Sequence, residues 1–390
     1  MEGGVGAFTR ELARALAVQG HEIHVITHRN ARPELPDGER YSLGQLREPF
    51  EVSFGWLHPR AGRWRWGDVG QIADIAIRYD LDILNIQYQA AAYNMRSPAI
   101  NAAPWRLRSL ATTVVTYHDL RVPYLFPKAG RLRRFFVSWM ARLAHGAIAT
   151  NAQDYESLRA AKVDARRLCQ IPIGSNISVH EVDADVRYVV RRQLQVRPAD
   201  FLLGYFGFLN ESKGADSLLR ALSRLDDRVH LVFIGGKTGS SDTANNAAFV
   251  QHLEELIEDL DLSDRVHWTG YLPDESVSEH MKAADLMVLP YRDGVSLRRG
   301  TLMAALAHGR PIVSTEPEKP VGELQHGHNI WLAPRSDHEA LALAIARLRE
   351  APERRAELGK AAARSAQQFS WETIAADTAA FFARLQRHRS

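Results

Sequence analysis

Short apolar runs alternate with helical segments along this chain, and that order leaves few folds open to it. In the first half the apolar runs, each beside a segment with apolar residues at helical spacing, are 23–26, 83–86, 113–116, 147–149 and 169–173. Parallel strands need a crossover between them, usually a helix, so this alternation is typical of a doubly wound α/β domain. We therefore predict one such domain in the first half.

The alternation stops at a polar, charged stretch, residues 178–200, and then restarts. The second series of apolar runs comprises 201–206, 229–234, 266–268, 286–289 and 311–313. The helical segments of this half are 217–225, 248–260, 301–308 and 338–348. We predict two Rossmann-like doubly wound domains with parallel sheets, at residues 1–180 and 181–368, which face each other across a cleft.

The first predicted domain starts without a strand. In a doubly wound fold a Gly-rich turn normally follows the first strand, whereas Gly3-Gly4-Val5-Gly6 opens this chain with no strand before it. A missing central strand would leave unpaired backbone groups in the core, so we expect that the true start lies upstream or that another segment fills the gap. The glycines either hold an anion at a helix N-terminus or form a flexible end.

The composition is that of a soluble globular protein. Of 390 residues, 45% are hydrophobic and 24% are charged, which excludes disordered and collagen-like chains. No apolar run approaches the roughly 18 residues that span a bilayer. The single cysteine, Cys169, excludes an internal disulfide and a cysteine-based metal cluster, and the N-terminus lacks a signal-peptide pattern. We expect a cytoplasmic protein.

The charge balance argues against nucleic acid as a partner. Forty-nine Lys and Arg against 46 Asp and Glu give a net charge of +3, too small without a focused basic stripe. No pair of His, Cys or carboxylate residues stands at metal-ligand spacing, and we expect neither a bound metal nor a cofactor.

A histidine follows one of the predicted strands directly. Thr116-Tyr117-His118-Asp119 places it at a strand's carboxyl end, where open α/β sheets bind ligands. His118 there either contacts a sugar hydroxyl and moves a proton or is a structural histidine bonded to the backbone. Asp119 either contributes to this site or orients the loop.

Basic residues follow two strands of the second series. Lys213 lies in the loop after 201–206, and its compact ammonium suits a phosphate, although a lone lysine is more often solvated. Arg298 and Arg299 precede Gly300 and Thr301 at a helix start, an arrangement suited to a diphosphate. Thr301 as a plain helix cap beside a solvated turn is the alternative.

Two further segments combine aromatic and basic residues. The segment 131–145 carries an apolar stripe flanked by arginines, which predicts either peripheral contact with an anionic membrane or packing on the domain's own sheet. Trp64 and Trp66 alternate with Arg63 and Arg65, as in an acceptor groove or an exposed loop. We place acceptor specificity in loops 54–67 and 87–96.

Taken together, these segments resemble the group-one glycosyltransferases of the GT-B fold, a retaining family that uses nucleotide-sugar donors without a catalytic metal. The resemblance covers nearly the whole length and rests on the order and spacing of its motifs. They are GGVG at 3–6, TYHD at 116–119, IPIGSN at 171–176, SKG at 212–214, VHWTGYL at 266–272, AADLMVLP at 283–290, AHGRPIV at 307–313 and FSWE at 369–372. The last resembles the start of the family's closing helix, here 369–390, which crosses back to the first domain.

The resemblance implies roles for the residues that match the family's motifs. The first domain would bind the acceptor and the second the nucleotide sugar, with the turn at 270–272 receiving the nucleobase. The implied catalytic residues are His118 and Lys213, and the acceptor-binding residues are Tyr117, His118, Asp119 and Gln87. With the basic loop, the donor-binding set comprises Gly3, Gly4, Gly6, Lys213, Gly270, Tyr271, Leu272, Ser296, Arg298, Arg299, Gly300, Thr301 and Glu323.

The chain departs from the family's pattern at two places. The family usually has two glutamates before the Ala-x-Gly-x-Pro segment, and counting back from Gly309 those positions hold Ser296 and Ala304. An arginine usually lies five residues before the lysine, where this chain has Phe208. We hypothesise that Arg298 and Arg299 supply the lost positive charge and that Glu323 remakes a ribose contact.

The sequence therefore predicts a retaining, metal-independent glycosyltransferase whose co-substrate is a nucleotide-diphosphate sugar. Its acceptor would be a saccharide, a lipid or a small molecule. Two alternatives stay open: a catalytically silent GT-B homologue that binds sugar nucleotides or a partner, and a GT-B epimerase acting on UDP-sugars.

Overall fold

The chain is described by a computed structural model that covers all residues except 1–3, 34, 36–38, 94–96, 121–129, 182, 184, 238–242 and 389–390. It divides into two compact units. Unit 1 comprises residues 1–173 and 371–390, and unit 2 comprises residues 174–370.

The described residues of unit 1 form seven strands in two sheets. The strands are β1 (His24–His28), β2 (Phe50–Val52), β3 (Gly55–Ala61), β4 (Ile83–Gln89), β5 (Thr112–Asp119), β6 (Gly146–Ala149) and β7 (Leu168–Gln170). Its helices begin with α1 (Gly4–Val18), α2 (Trp66–Arg78), α3 (Ala99–Leu107), α4 (Gly130–Leu143) and α5 (Ala152–Ala160). One sheet has the order β4-β5-β6-β7 and is parallel throughout, because helices connect its strands.

In the described part of unit 2, six strands form one sheet, with helices between the strands. The strands are β8 (Phe201–Phe206), β9 (Val229–Ile234), β10 (Val266–Trp268), β11 (Leu286–Leu289), β12 (Ile312–Thr315) and β13 (Trp331–Ala333). The helices are α6 (Val186–Gln193), α7 (Ala215–Leu222), α8 (Thr243–Asp259), α9 (Asp274–Ala283), α10 (Gly300–Ala307), α11 (His338–Arg349) and α12 (Pro352–Ala366). The order β10-β9-β8-β11-β12-β13 is parallel throughout. The prediction of two parallel α/β domains is confirmed.

The last helix, α13 (Trp371–Arg387), belongs to unit 1. Ile374 and Phe381 of α13 pack in one apolar cluster with Phe8 and Leu12 of α1 and with Val114 of β5. A side chain at Gly146, the first residue of β6, would clash with Leu385 at 2.3 Å. The absence of a Cβ at this position lets α13 lie directly on the sheet.

The strands of unit 1 do not form one continuous sheet. The second sheet has the order β1-β3-β2, and within the described residues no strand joins β1 to β4. Helix α1 packs against both sheets, since Leu12 clusters with Val114 while Ala13 clusters with Val25. The described residues thus agree with the prediction of a domain without its first strand.

We expected residues 54–67 to form an acceptor loop. Instead, residues 50–52 and 55–61 form the antiparallel hairpin β2–β3. Gly55 permits the turn because its φ is 132°, and a Cβ there would lie 2.2 Å from the Ile23 carbonyl oxygen. Only residues 62–65 of that stretch connect β3 to α2. Likewise, residues 87–89 of the second expected loop end β4.

The open edge of β1 predicts that neighbouring amide groups differ in their rate of hydrogen exchange. The Trp56 N–H donates to the Ile23 carbonyl at 2.8 Å, so the N–H groups of Val25 and Thr27 face β3 and those of His24 and Ile26 face away. We expect the amides of His24 and Ile26 to exchange at least about tenfold faster than those of Val25 and Thr27. Residue-resolved hydrogen exchange measures this, and equal protection of all four would contradict the open edge.

Buried histidine pairs predict that the folded protein loses stability as the pH falls. Burial and the neighbouring His24 lower the pKa of His58 to about 4, and burial and His230 do the same for His267. The unfolded chain, with a pKa near 6.5, binds more protons, so stability is present above about pH 6.5 and is lost as pH falls toward 4. Urea midpoints are expected to drop between about pH 7 and about pH 5.

Two variants check the source of this acid response. His267→Gln is expected to reduce the drop, whereas His252→Gln, at an exposed position of α8, is expected to leave it unchanged. An equal drop in the native protein and His267→Gln would show that His267 does not contribute.

Candidate functional site

A glycine at the end of β8 brings two predicted donor residues together. Gly207 has φ 112°, and a Cβ there would lie 2.6 Å from Thr301 Cγ2 and 3.3 Å from Lys213 Nζ. Lys213 belongs to the short 3-10 helix Glu211–Lys213 after β8, whereas Thr301 lies in the first turn of α10 after β11. Because β8 and β11 are neighbours in a parallel sheet, both side chains lie at the carboxyl ends of adjacent strands.

The Lys213 ammonium is held in a partly buried position. Its Nζ donates to the Phe208 carbonyl oxygen at 2.6 Å. Burial, and secondarily the nearby Arg299 guanidinium, lower the pKa of Lys213 from 10.5 to about 8. The group is therefore mostly protonated at pH 7 but weakly hydrated, a state that favours binding of an anion.

Arg299 caps α10 and is fixed by two contacts. It forms an ion pair with Asp293, and its guanidinium lies over the Tyr291 ring at 4.8 Å. The Tyr291 hydroxyl lies 2.6 Å from Thr301 Oγ1, which ties the ring to the helix start. The N–H groups of Leu302 and Met303 donate to the Arg299 carbonyl, whereas those of Gly300 and Thr301 precede the first bonds of α10, at the positive end of its dipole.

We call Lys213, Arg299, Gly300 and Thr301 the cation cluster. A Cβ on Gly300 would lie 3.3 Å from Asn176 Oδ1, so a side chain from the 171–176 motif reaches the same helix start. Within unit 2 the cluster offers two positive side chains, a hydroxyl and the backbone N–H groups of Gly300 and Thr301. This combination suits a diphosphate.

The other unit 2 residues of the predicted donor set lie in three loops, which follow β10, β11 and β12. Ser296 and Arg298 are partly buried in the loop between β11 and α10. Glu323 lies between β12 and β13, where its carbonyl oxygen accepts a hydrogen bond from Asn329 at 2.7 Å. The roles of these three side chains toward a ligand stay predictions.

The turn after β10 has a backbone conformation suited to its predicted role. Gly270 has φ 69° and forms an isolated antiparallel bridge with Gly235, which follows β9. Tyr271 is 85% exposed and Leu272 is partly buried. Sequence reasoning missed Gly235 and also Tyr291, the residue that orients Arg299; the position of each just past a strand end was the available signal.

In unit 1 the predicted catalytic histidine is a neutral, partly buried group. Its Nε2 lies 2.9 Å from Gln87 Oε1, and Phe8 of α1 contacts the ring edge-on at 4.6 Å. Burial lowers the pKa of His118 to about 4. The structure therefore pairs His118 with Gln87, another predicted acceptor residue, and holds the imidazole uncharged at pH 7. Asp119 ends β5 and is partly buried.

Tyr117 belongs to the core rather than to the acceptor site. Its side chain is fully buried, and its hydroxyl donates to the Val137 carbonyl of α4 at 3.0 Å. Burial raises the pKa of this phenol well above its usual value. We correct the acceptor-binding prediction for this residue, because a ring without exposed surface cannot touch an acceptor.

The N-terminal glycines are helical rather than looped. Gly4 and Gly6 lie in the first turn of α1, which begins at Gly4, whereas Gly3 lies outside the described residues. A Cβ on Gly4 would meet nothing within 4 Å. Of the two alternatives for these glycines, the position at a helix N-terminus holds for Gly4 and Gly6, and their contact with a donor phosphate stays a prediction.

Helix α4 accounts for the basic amphipathic segment. Met140 is buried in the unit 1 core and Val137 packs beside it, whereas Phe135 is 53% exposed. At least part of the stripe therefore packs on the sheet, and membrane contact stays a prediction. Among the helices described, none is long and apolar enough to cross a bilayer. In the same residues no three His, Cys, Asp or Glu side chains cluster as a metal site, and metal independence stays a prediction.

Comparisons with protein families match each half of the chain separately. Residues 2–179 match the model described as Glycosyltransferase Family 4, and residues 187–365 match the model described as Glycosyl transferases group 1. A protein of Streptomyces scabiei called D-inositol 3-phosphate glycosyltransferase is 28% identical over 429 aligned positions, covering 99% of this chain and 88% of the relative. A relative of the same name from Streptomyces griseus is 31% identical, and the match spans 49% of this chain and less than half, 41%, of that relative.

Solved structures resemble the whole chain. Sucrose-phosphate synthase from Thermosynechococcus elongatus has a TM-score of 0.76 at 22% identity, covering 99% of this chain and 94% of that one. HepE of Anabaena, solved in complex with UDP, has a TM-score of 0.68 at 22% identity, covering 81% of each chain. These likenesses confirm the GT-B architecture.

The lowered pKa of Lys213 predicts how UDP binding responds to pH. Bound diphosphate favours the ammonium form, so affinity for UDP is expected to fall as pH rises through about 8. Lys213→Ala is expected to weaken UDP binding by about tenfold or more at pH 7, because it removes a charged hydrogen-bond donor. Calorimetric titration measures both effects. Lys360→Ala, at an exposed lysine of α12, is the control, and unchanged affinity in Lys213→Ala would contradict this role.

Proposed function

We propose that this chain, which belongs to the group 1 glycosyltransferases, moves a sugar from a nucleotide-diphosphate-sugar donor to a hydroxyl group of an acceptor. The acceptor is a saccharide, a lipid or a small molecule, and the reaction proceeds with retention and without a metal. Family models over both halves and a full-length relative named as a glycosyltransferase support the transferase chemistry. The UDP and UDP-glucose bound to HepE support a nucleotide-sugar donor.

The observation that carries this proposal is the cation cluster. Two positively charged side chains converge beside the start of α10, and one of them, Lys213, is desolvated enough to lower its pKa. A diphosphate supplies the negative charge that this arrangement lacks. Stabilising the leaving diphosphate lowers the barrier to transfer, since negative charge develops there as the donor breaks.

The proposed reaction is a single exchange at the anomeric carbon. The bond from this carbon to the diphosphate oxygen breaks, and a bond from the acceptor oxygen forms on the same face of the sugar. The acceptor proton passes to the departing diphosphate. Lys213 and Arg299 hold that diphosphate, and the chain needs no carboxylate nucleophile.

His118 has a positioning and hydrogen-bonding role in this proposal. With a pKa of about 4 the imidazole is neutral at pH 7 and offers no positive charge to the donor. Its contact with Gln87 fixes the ring, which leaves the other ring nitrogen to hydrogen-bond a sugar hydroxyl.

A catalytically silent homologue is the second candidate, and one observation favours it. The positions where the family usually has glutamates hold Ser296 and Ala304, and Ala304 is completely buried in α10. The Ala304 methyl group cannot make the ribose contact that a glutamate would make.

For the transferase, we propose that Arg298 and Arg299 supply the missing positive charge at the diphosphate and that Glu323 contacts the ribose.

A donor-consumption assay distinguishes these functions. Purified protein is expected to release nucleotide from at least one UDP-, GDP- or ADP-sugar, with activity unchanged by EDTA. Arg298→Ala combined with Arg299→Ala is expected to weaken donor binding by about tenfold or more, because two cations are lost from the site.

The other outcomes of this assay would identify one of the alternative functions. Saturable donor binding without turnover would establish the silent homologue, and formation of an epimer without acceptor would establish the epimerase. Unchanged donor affinity in the double arginine variant would refute compensation by these residues. Product stereochemistry by NMR tests retention, since inversion at the anomeric carbon would contradict the proposed mechanism.

A further inference from the structure

Unit 1 contains a cavity of about 700 Å³ beyond the carboxyl ends of β1, β3 and β4. His28 ends β1, the lining residues 63–66 follow β3, and Tyr93 follows β4. The lining residues used below are His28, Arg63, Trp64, Arg65, Trp66 and Tyr93. This end of a parallel sheet is where α/β folds bind ligands.

The lining is basic and aromatic. In the described part of the chain, the cavity wall includes two arginines and a histidine and no carboxylate. Asp68 is the nearest carboxylate along the chain. Its oxygens accept hydrogen bonds from the backbone N–H groups of Gly62 and Arg65, each at 2.8 Å. Burial alone would raise the pKa of Asp68, but these backbone hydrogen bonds lower it.

The loop that carries the arginines is held in one conformation. Trp64 has φ 51°, a left-handed conformation that is uncommon for a large side chain and is retained only where the surroundings require it. Its ring packs edge-on against Tyr93 at 4.8 Å, and Tyr93 stacks on Tyr88 at 5.7 Å. The aromatic contacts and the Asp68 hydrogen bonds together hold the backbone that presents the exposed side chains of Arg63 and Arg65.

Hydrogen bonds connect this cavity to the predicted catalytic histidine. The Tyr93 hydroxyl donates to the Gln87 carbonyl at 2.9 Å, and the side chain of the same Gln87 contacts His118. Gln87 of β4 thus links Tyr93 of the cavity wall to His118 through two hydrogen bonds.

We propose that this cavity is the acceptor subsite and that it selects sugars or polyols carrying an anionic group, a phosphate or a carboxylate. The forked guanidinium groups of Arg63 and Arg65 bind the anion, since this geometry matches both oxyanions. Trp66, 53% exposed, offers an apolar ring face to the C–H surface of the sugar. This inference rests on the proposed function, because it names the acceptor class of that reaction.

Binding of simple probes tests the proposal without a known acceptor. The probes are glucose 6-phosphate, glucuronate, glucose and inorganic phosphate, titrated by calorimetry into the full chain at up to about 10 mM. Glucose 6-phosphate, glucuronate or both are expected to bind at least about tenfold more tightly than glucose and than inorganic phosphate. The phosphorylated and carboxylated probes distinguish the two sources of negative charge.

Matched variants locate the binding site. Arg63→Ala combined with Arg65→Ala is expected to weaken the charged probe about tenfold or more, and Trp66→Ala to weaken both charged and neutral sugars. The controls are Arg106→Ala combined with Arg108→Ala, two exposed arginines at the end of α3, and Trp105→Ala, a ring that is also 53% exposed. The controls are expected to bind the probes like the native protein.

Three results would overturn the proposal. They are equal affinity for glucose and the charged sugars, unchanged affinity in the double variant at 63 and 65, and no saturable binding of either charged probe by protein that binds UDP. The first two leave the transferase proposal intact. Conversely, binding of charged sugars by protein that consumes no donor would support the subsite and refute catalysis.

Discussion

Two cations held near each other beside the start of α10 are the constraint on which the account of this protein depends. Lys213 and Arg299 come from the ends of two neighbouring strands, and a glycine at position 207 lets the lysine approach Thr301 closely. Burial and the guanidinium both disfavour the ammonium form, which is why the pKa of Lys213 falls to about 8. Asp293 offsets part of the repulsion through its ion pair with Arg299. A bound diphosphate would offset the remainder, so the site carries an electrostatic strain that an anionic donor relieves.

The parallel strands were predictable because strands covered on both faces are continuous apolar runs. Every residue of β8, β9 and β11 is buried, and the sequence located each of these strands. The hairpin β2–β3 was not predicted, since β3 mixes Gly55, Pro59 and Arg60 with apolar residues and resembles a loop. Its conformation depends on contact with β1, which local sequence does not reveal.

The positions of the candidate site residues at strand ends were predictable from the sequence, but the directions in which their side chains point were not. Lys213, Arg299 and Thr301 follow strand ends, and the parallel sheet brings such ends to one edge. Tyr117 was assigned wrongly because successive residues of a strand point to opposite faces: the Tyr117 ring points toward α4, whereas the His118 ring points toward Phe8 of α1. The left-handed conformation of Trp64 could not be predicted either, because its aromatic contacts with Tyr93 and Tyr88 are set by tertiary structure.

Titration of the Lys213 side chain by NMR, with and without saturating UDP, tests the central claim most directly. The account predicts a pKa of about 8 in the free protein and a rise of at least about one unit when UDP binds, because the diphosphate stabilises the ammonium form. A pKa that stays the same in the complex, or one near 10.5 in the free protein, would contradict it.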